Sequence, residues 1–145
     1  MIHKVEIKKM TADDLPYLRE LLFDGDMAWK KYDAPYFPIK IYDELHLADF
    51  IHDKKDFFTG EFSYKILVDK IMVGSCVAYY EDGDLKRWLE VGITIMDSKI
   101  WGKGVGYLAL RQLINECFNK TDLPHLSLTT WSGNPRLGVF EFWKN

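Results

Sequence analysis

Thiol chemistry is scarce in this chain: Cys76 and Cys117 are its only two cysteines. They sit in apolar periodic stretches without metal-ligand spacing, which excludes a framework of several disulfides and predicts two buried, reduced thiols. Long apolar runs are absent as well. The N-terminal MIHKVEIKKM has no apolar signal core and no segment is long enough to span a bilayer, so a cytoplasmic protein without a membrane partner is expected. There is no surplus of positive charge. A formal net charge of -3 speaks against a nucleic-acid partner and suits a cationic one better. Repeats, low-complexity tracts and linkers are missing too, and 145 residues that are 48% hydrophobic are enough for a single domain with one core.

What the chain does have is concentrated between Trp88 and Asn119, WLEVGITIMDSKIWGKGVGYLALRQLINECFN. The stretch reads as a buried strand, a loop with three glycines in five residues (Gly102, Gly104, Gly106), and an amphipathic helix. A loop that hands a strand over to a helix N-terminus offers backbone N–H groups and the positive end of the helix dipole to a phosphate. The same glycines could serve only close packing of strand on helix. A nucleotide P-loop is excluded, because Val105-Gly106-Tyr107 lacks the Lys-Ser/Thr ending, and a dinucleotide fold is a poor match because the third glycine is misplaced.

The rest of the chain frames this stretch. Val5 to Met10 leans towards strand, and Thr11 is an N-cap for a helix carrying Leu15, Leu18, Leu21 and Leu22. Tyr42 to His52 shows a second helical pattern, ended by the polar Asp53-Lys54-Lys55-Asp56. From Ser63 the period becomes two: a strand to Val68, an Asp69-Lys70 turn, a strand from Ile71 to Tyr80, and a third from Trp88 to Ile95 form a meander. In the third strand Leu89, Val91, Ile93 and Ile95 share one face, with Trp88, Glu90, Gly92 and Thr94 on the other. The helix from Tyr107 to Asn119 has a stripe of Leu110, Leu113, Ile114, Cys117 and Phe118, with Arg111, Gln112, Asn115 and Glu116 on its polar side. Leu126 to Thr130 then returns as a strand that must lie parallel to the third, which makes the sheet mixed. Asn134-Pro135 signals the start of a last helix.

The pieces EVG, WGKGVG and TTWSGNPR together resemble the GNAT superfamily of acyl-CoA-dependent N-acetyltransferases, with the RimJ/RimL-type branch as the nearest likeness. Trp101 stands where the family's loop usually begins with Gln or Arg. The resemblance implies an α/β fold with a GNAT-type mixed, mostly antiparallel sheet flanked by helices, and acetyl-CoA as co-substrate without a metal. It implies that Gly102, Lys103, Gly104, Val105 and Gly106 hold the pyrophosphate, that the backbone of Ile93, Thr94 and Ile95 pairs with the pantetheine arm, and that Asn134 contacts the cofactor near that arm. As an N-cap, Asn134 has an ordinary structural role as well.

Acetyl transfer to an amine requires a base, because an ammonium has no lone pair. Glu90 is the best candidate; the structural alternative is an ion pair with Lys86 or Arg87. His46, His52 and His125 are each isolated in sequence. The family's proton donors to the leaving thiolate, a tyrosine or a serine, are replaced by Phe140 and Leu137, which leaves that role unassigned. Relatives also continue past the last helix into further strands, so residues 1–145 are expected to be a single acetyltransferase domain lacking its C-terminal strand or strands. The acceptor is expected under the first two helical regions, among Asp24, Asp26, Asp33, Asp43, Glu44 and Asp49 with Trp29, Tyr32, Tyr36, Phe37 and Tyr42, where acid and aromatics suit a cationic amine. A protein N-terminus and a small polyamine or antibiotic amine both fit, as do a monomer and a homodimer. The rival function is a non-catalytic acyl-CoA-binding module.

Overall fold

The computed structural model describes residues 2–25, 28–29, 46–129 and 139–144. In chain order these form β1 (Val5–Lys9), α1 (Leu15–Phe23), α2 (Leu47–Phe58), β2 (Ser63–Val68), β3 (Ile71–Tyr80), β4 (Leu89–Ile95), α3 (Val105–Lys120), β5 (His125–Thr129) and β6 (Val139–Trp143). The strands make one sheet in the order β1-β2-β3-β4-β5-β6. Every neighbouring pair is antiparallel except β4 and β5, which α3 joins as a parallel crossover.

Strand alternation sorts the core into two layers. Tyr64, Ile66, Val68, Cys76, Ala78, Leu89 and Val91 pack with Val105, Ala109, Leu113 and Cys117 of α3. Leu67 and Met72 belong to the second cluster, with Met10, Leu15, Leu18, Leu22 and Phe50 beneath α1 and α2. Adjacent residues such as Ile66 and Leu67 fall in different clusters because successive side chains leave opposite faces of a strand. The turn between β2 and β3 has positive φ at both Asp69 (49°) and Lys70 (72°), the backbone a two-residue hairpin of matching twist requires. Asp69 also accepts the backbone N–H of Lys4 at 2.8 Å, fastening the start of the chain to this hairpin.

Three expectations are corrected. The helix of the second region does not stop at the polar stretch but runs through it to Phe58. Leu47, Phe50, Ile51 and Phe58 keep the inward spacing, so Asp53, Lys54, Lys55 and Asp56 are simply the wet side of the helix. Gln112 is not a solvated residue: its Oε1 accepts from Ile7 N–H and its Nε2 donates to the Val5 carbonyl, each at 2.9 Å, closing the open edge of β1. Residues 139–143 are strand rather than the continuation of a last helix. Val139-Phe140-Glu141-Phe142-Trp143 is β-branched and aromatic, and it pairs with β5 from Thr129↔Val139 to His125↔Trp143. The Asn134-Pro135 signal lies outside the described residues.

Candidate active site

Glu90 lies on β4, on the face away from α3, and is only 4% exposed. Neither Lys86 nor Arg87 reaches it, and among the described residues no cation pairs with its carboxylate. Ser127 on β5 donates its hydroxyl to Glu90 Oε2 at 2.5 Å, and the indole Nε1–H of Trp88 donates to Ser127 Oγ at 2.8 Å. Removing a carboxylate from water costs several kcal/mol, roughly, where no cation compensates. An unpaired, inward-facing carboxylate is therefore a poor structural element and a suitable chemical one.

Its surroundings on that face are mixed. Tyr79, opposite Glu90 in the β3–β4 register, and Trp88 are both about half exposed, at 43% and 50%. The Tyr79 phenol is pushed up, first by burial and then by the negative charges of Glu81 and Glu90, so it stays protonated at neutral pH. Beyond Tyr79 come Val77↔Gly92 and Ser75↔Thr94, and a Cβ on Gly92 would meet only Val77 Cγ2, at 3.9 Å. Glycine thus leaves room directly beside the carboxylate.

Glu90↔Ser127 is the register pair that joins β4 to β5 among the described residues, and β4 continues through Ile93 and Thr94 to Ile95. The side chains of Ile93 and Ile95 pack against the α3 cluster, which leaves any contact with a ligand to their backbones. Gly74 on β3 lies so close to this strand that an added Cβ would sit 2.2 Å from the Thr94 carbonyl oxygen.

At the end of β4, Trp101 Nε1–H donates to the Ile95 carbonyl at 3.0 Å and ties the glycine loop to the strand. Gly102 (φ 76°) and Gly104 (φ 83°) are in the left-handed region, which the backbone of glycine adopts without strain. Gly106 has no such φ, and a Cβ on any of the three would meet nothing within 4 Å. Gly104 caps α3, whose first bond runs from Leu108 N–H to the Gly104 carbonyl at 3.1 Å. The amides of Gly104, Val105, Gly106 and Tyr107 precede that bond and have no intrahelical acceptor. Lys103 is exposed beside them, and Val105 is buried as the anchor that seats the helix on the sheet.

Asn134 and Leu137 lie outside the described residues, as do Asp26, Tyr32, Asp33, Tyr36, Phe37, Tyr42, Asp43 and Glu44. Trp29 is core, Asp49 is exposed on α2, and Asp24 accepts from buried Arg19 at 2.5 Å. Both cysteines are buried, and burial pushes each thiol up to about 12. Among the described residues no group of three or more His, Cys, Asp or Glu could hold a metal, and no helix is long and apolar enough to cross a membrane. Sequence reasoning missed Ser127 and Gly74. The alternation in Leu126-Ser127-Leu128 was the signal available for Ser127, since it turns that hydroxyl to the face Glu90 occupies.

A family model described as an acetyltransferase (GNAT) domain matches residues 4–138. The chain belongs to the GNAT acetyltransferases. Among solved structures, this acetyltransferase is similar to an acetyltransferase (GNAT family) from Bacillus anthracis, with a TM-score of 0.65 and 19% identity over 92% of this chain and 74% of that one. It is also similar to aminoglycoside acetyltransferase AAC(6')-Ib in complex with coenzyme A, with a TM-score of 0.64 and 18% identity over 92% of this chain and 78% of that one. The complex of AAC(6')-Ib with paromomycin and acetyl-CoA gives a TM-score of 0.66 and 18% identity, covering 90% and 75% of the two chains. No curated protein matches the chain. The GNAT acetyltransferase is thus an acyl-CoA N-acyltransferase that uses acetyl-CoA. The open space around Gly102, Gly104 and Gly106 fits such a co-substrate.

Proposed function

We propose that this acetyltransferase moves an acetyl group directly to a primary amine, a protein N-terminus as in the RimJ/RimL-type branch or a small amine, with Glu90 as general base. The observation that carries the reading is a buried carboxylate on β4 with no cationic partner among the described residues, at the register pair that joins β4 to β5. When bound, acetyl-CoA supplies an activated thioester carbonyl. The amides of Gly102, Lys103, Gly104, Val105 and Gly106 bind the pyrophosphate, with the Lys103 ammonium adding charge. Backbone groups of Ile93, Thr94 and Ile95 hold the pantetheine arm as though it were one more strand, and Asn134 supports it. Glu90 takes the proton that an attacking amine must lose.

Direct attack agrees with the state of the two thiols, which burial holds protonated and so poor as nucleophiles. The half-exposed rings of Tyr79 and Trp88 beside Glu90 suit a cationic acceptor approaching this face. Calorimetric titration with acetyl-CoA, with ATP and NAD as controls, tests the binding half; selective one-to-one binding is expected. A screen of polyamines, aminoglycosides and peptides with free N-termini tests the other half. Failure to bind acetyl-CoA would remove the loop assignment and the mechanism together.

A further inference from the structure

We propose that Trp88 and Ser127 are positioning residues that fix Glu90 Oε2 and leave Oε1 as the oxygen that takes the acceptor's proton. The inference rests on Glu90 being the base. Its geometry is a chain of two hydrogen bonds, Trp88 Nε1–H to Ser127 Oγ at 2.8 Å and Ser127 Oγ–H to Glu90 Oε2 at 2.5 Å. The direction of this chain is set by chemistry. An indole nitrogen can only donate, so it occupies a lone pair of Ser127 Oγ. The serine has one proton, and it goes to the carboxylate, which can only accept while ionised.

Oε2 is thereby committed, whereas no donor among the described residues meets Oε1. The two oxygens of one carboxylate become inequivalent. In the step itself the acceptor's N–H bond breaks, an Oε1–H bond forms, and the electron pair stays on nitrogen for attack. Because Ser127 is the residue of β5 paired with Glu90, the contact that locks the carboxylate is held by the parallel register of the two strands. Trp88 contributes from a half-exposed position two residues before Glu90 on the same face, so the relay runs from the rim of the site to its floor.

The test compares wild type, Ser127→Ala, Trp88→Phe, Glu90→Gln and the Glu90→Gln/Ser127→Ala double variant, with acetyl-CoA and the fastest acceptor among butylamine, spermidine, kanamycin and a tripeptide with a free N-terminus. Ser127→Ala should lower kcat roughly tenfold, about the effect of one hydrogen bond to a charged group, with KM for acetyl-CoA little changed. Trp88→Phe keeps a ring, removes the N–H and should lower kcat about threefold, as a neutral donor one bond further away. In the Glu90→Gln background Ser127→Ala should cost nothing more. Unchanged kcat in Glu90→Gln would remove the base and this inference with it. Loss in Glu90→Gln without loss in Ser127→Ala, or equal losses from Ser127→Ala in both backgrounds, would overturn the inference alone. The Trp88 indole N–H resonance, assigned by its absence in Trp88→Phe, gives a reading without any acceptor. It should shift in both Ser127→Ala and Glu90→Gln, and a resonance unmoved by Glu90→Gln would overturn the relay.

Discussion

The glycine loop and Glu90 lie at opposite ends of one strand and are built by opposite means. In the proposed reading the working groups from Gly102 to Gly106 are backbone amides, left open at the three glycines. At Glu90 the proposed working group is a side chain, buried and joined to two others by hydrogen bonds. Backbone recognition tolerates changes in side-chain chemistry as long as nothing blocks approach, whereas a positioned carboxylate tolerates almost none. Substitutions at the two ends should therefore affect different quantities, affinity at the loop and turnover at Glu90.

The largest effect expected is on turnover. Glu90→Gln should lower kcat by about a hundredfold or more at neutral pH, the range for loss of a general base, while acetyl-CoA affinity measured by calorimetry stays close to wild type. A matching fall in affinity would merge the two ends into one structural unit. Gly104→Val reverses the pattern. Its branched side chain at φ 83° would strain the helix cap and stand over the amides, so affinity should fall roughly ten- to a hundredfold, the equivalent of one charge-assisted hydrogen bond. Gly106→Ala sharpens the comparison further, because neither φ nor packing asks for glycine there. Alanine should raise stability by about 0.5–1 kcal/mol, as in any helix, while binding weakens several-fold. Tighter binding by this variant would show that the amides at that turn are not used.

Much of the strand, loop and helix core was legible in sequence because each part has a local signature. The period-two runs gave β3 from Ile71 to Tyr80 to the residue, and glycine spacing gave the loop. The Glu90 face was legible by the same alternation. The partners of Glu90 were not, because Ser127 lies on the far side of the α3 crossover and its contact with Glu90 depends on parallel register, which no local pattern encodes. Gly74 was overlooked for a related reason: its need for glycine comes from the Thr94 carbonyl on the next strand, not from its own φ. The strand at 139–143 was misread as helix because the Asn134-Pro135 signal is local, whereas pairing with the edge of β5 is a tertiary fact.

The smallest effect concerns what holds the helical layer over the Glu90 face. Asp14, just before α1, accepts from Lys65 Nζ at 2.8 Å and, through its other oxygen, from the backbone N–H of Thr11 at 2.9 Å. Burial raises its pKa, but the hydrogen bonds from Lys65 and Thr11 outweigh this and hold the carboxyl below its ordinary 3.8. A folded-state value below the unfolded one means that the contribution is fully present above 3.8 and is lost as pH falls through the lowered value. Asp14→Asn should therefore cost about 1 kcal/mol or less at pH 7, read as a fall in Tm of about 2–4 °C. That gap should close in strong acid, where wild type has lost the same interaction. Acetyl-CoA affinity at pH 7 should be untouched, because the pair ties α1 to β2 and never reaches the loop. A gap in Tm that persists in acid would trace the loss to the cap at Thr11 rather than to the charge on Lys65.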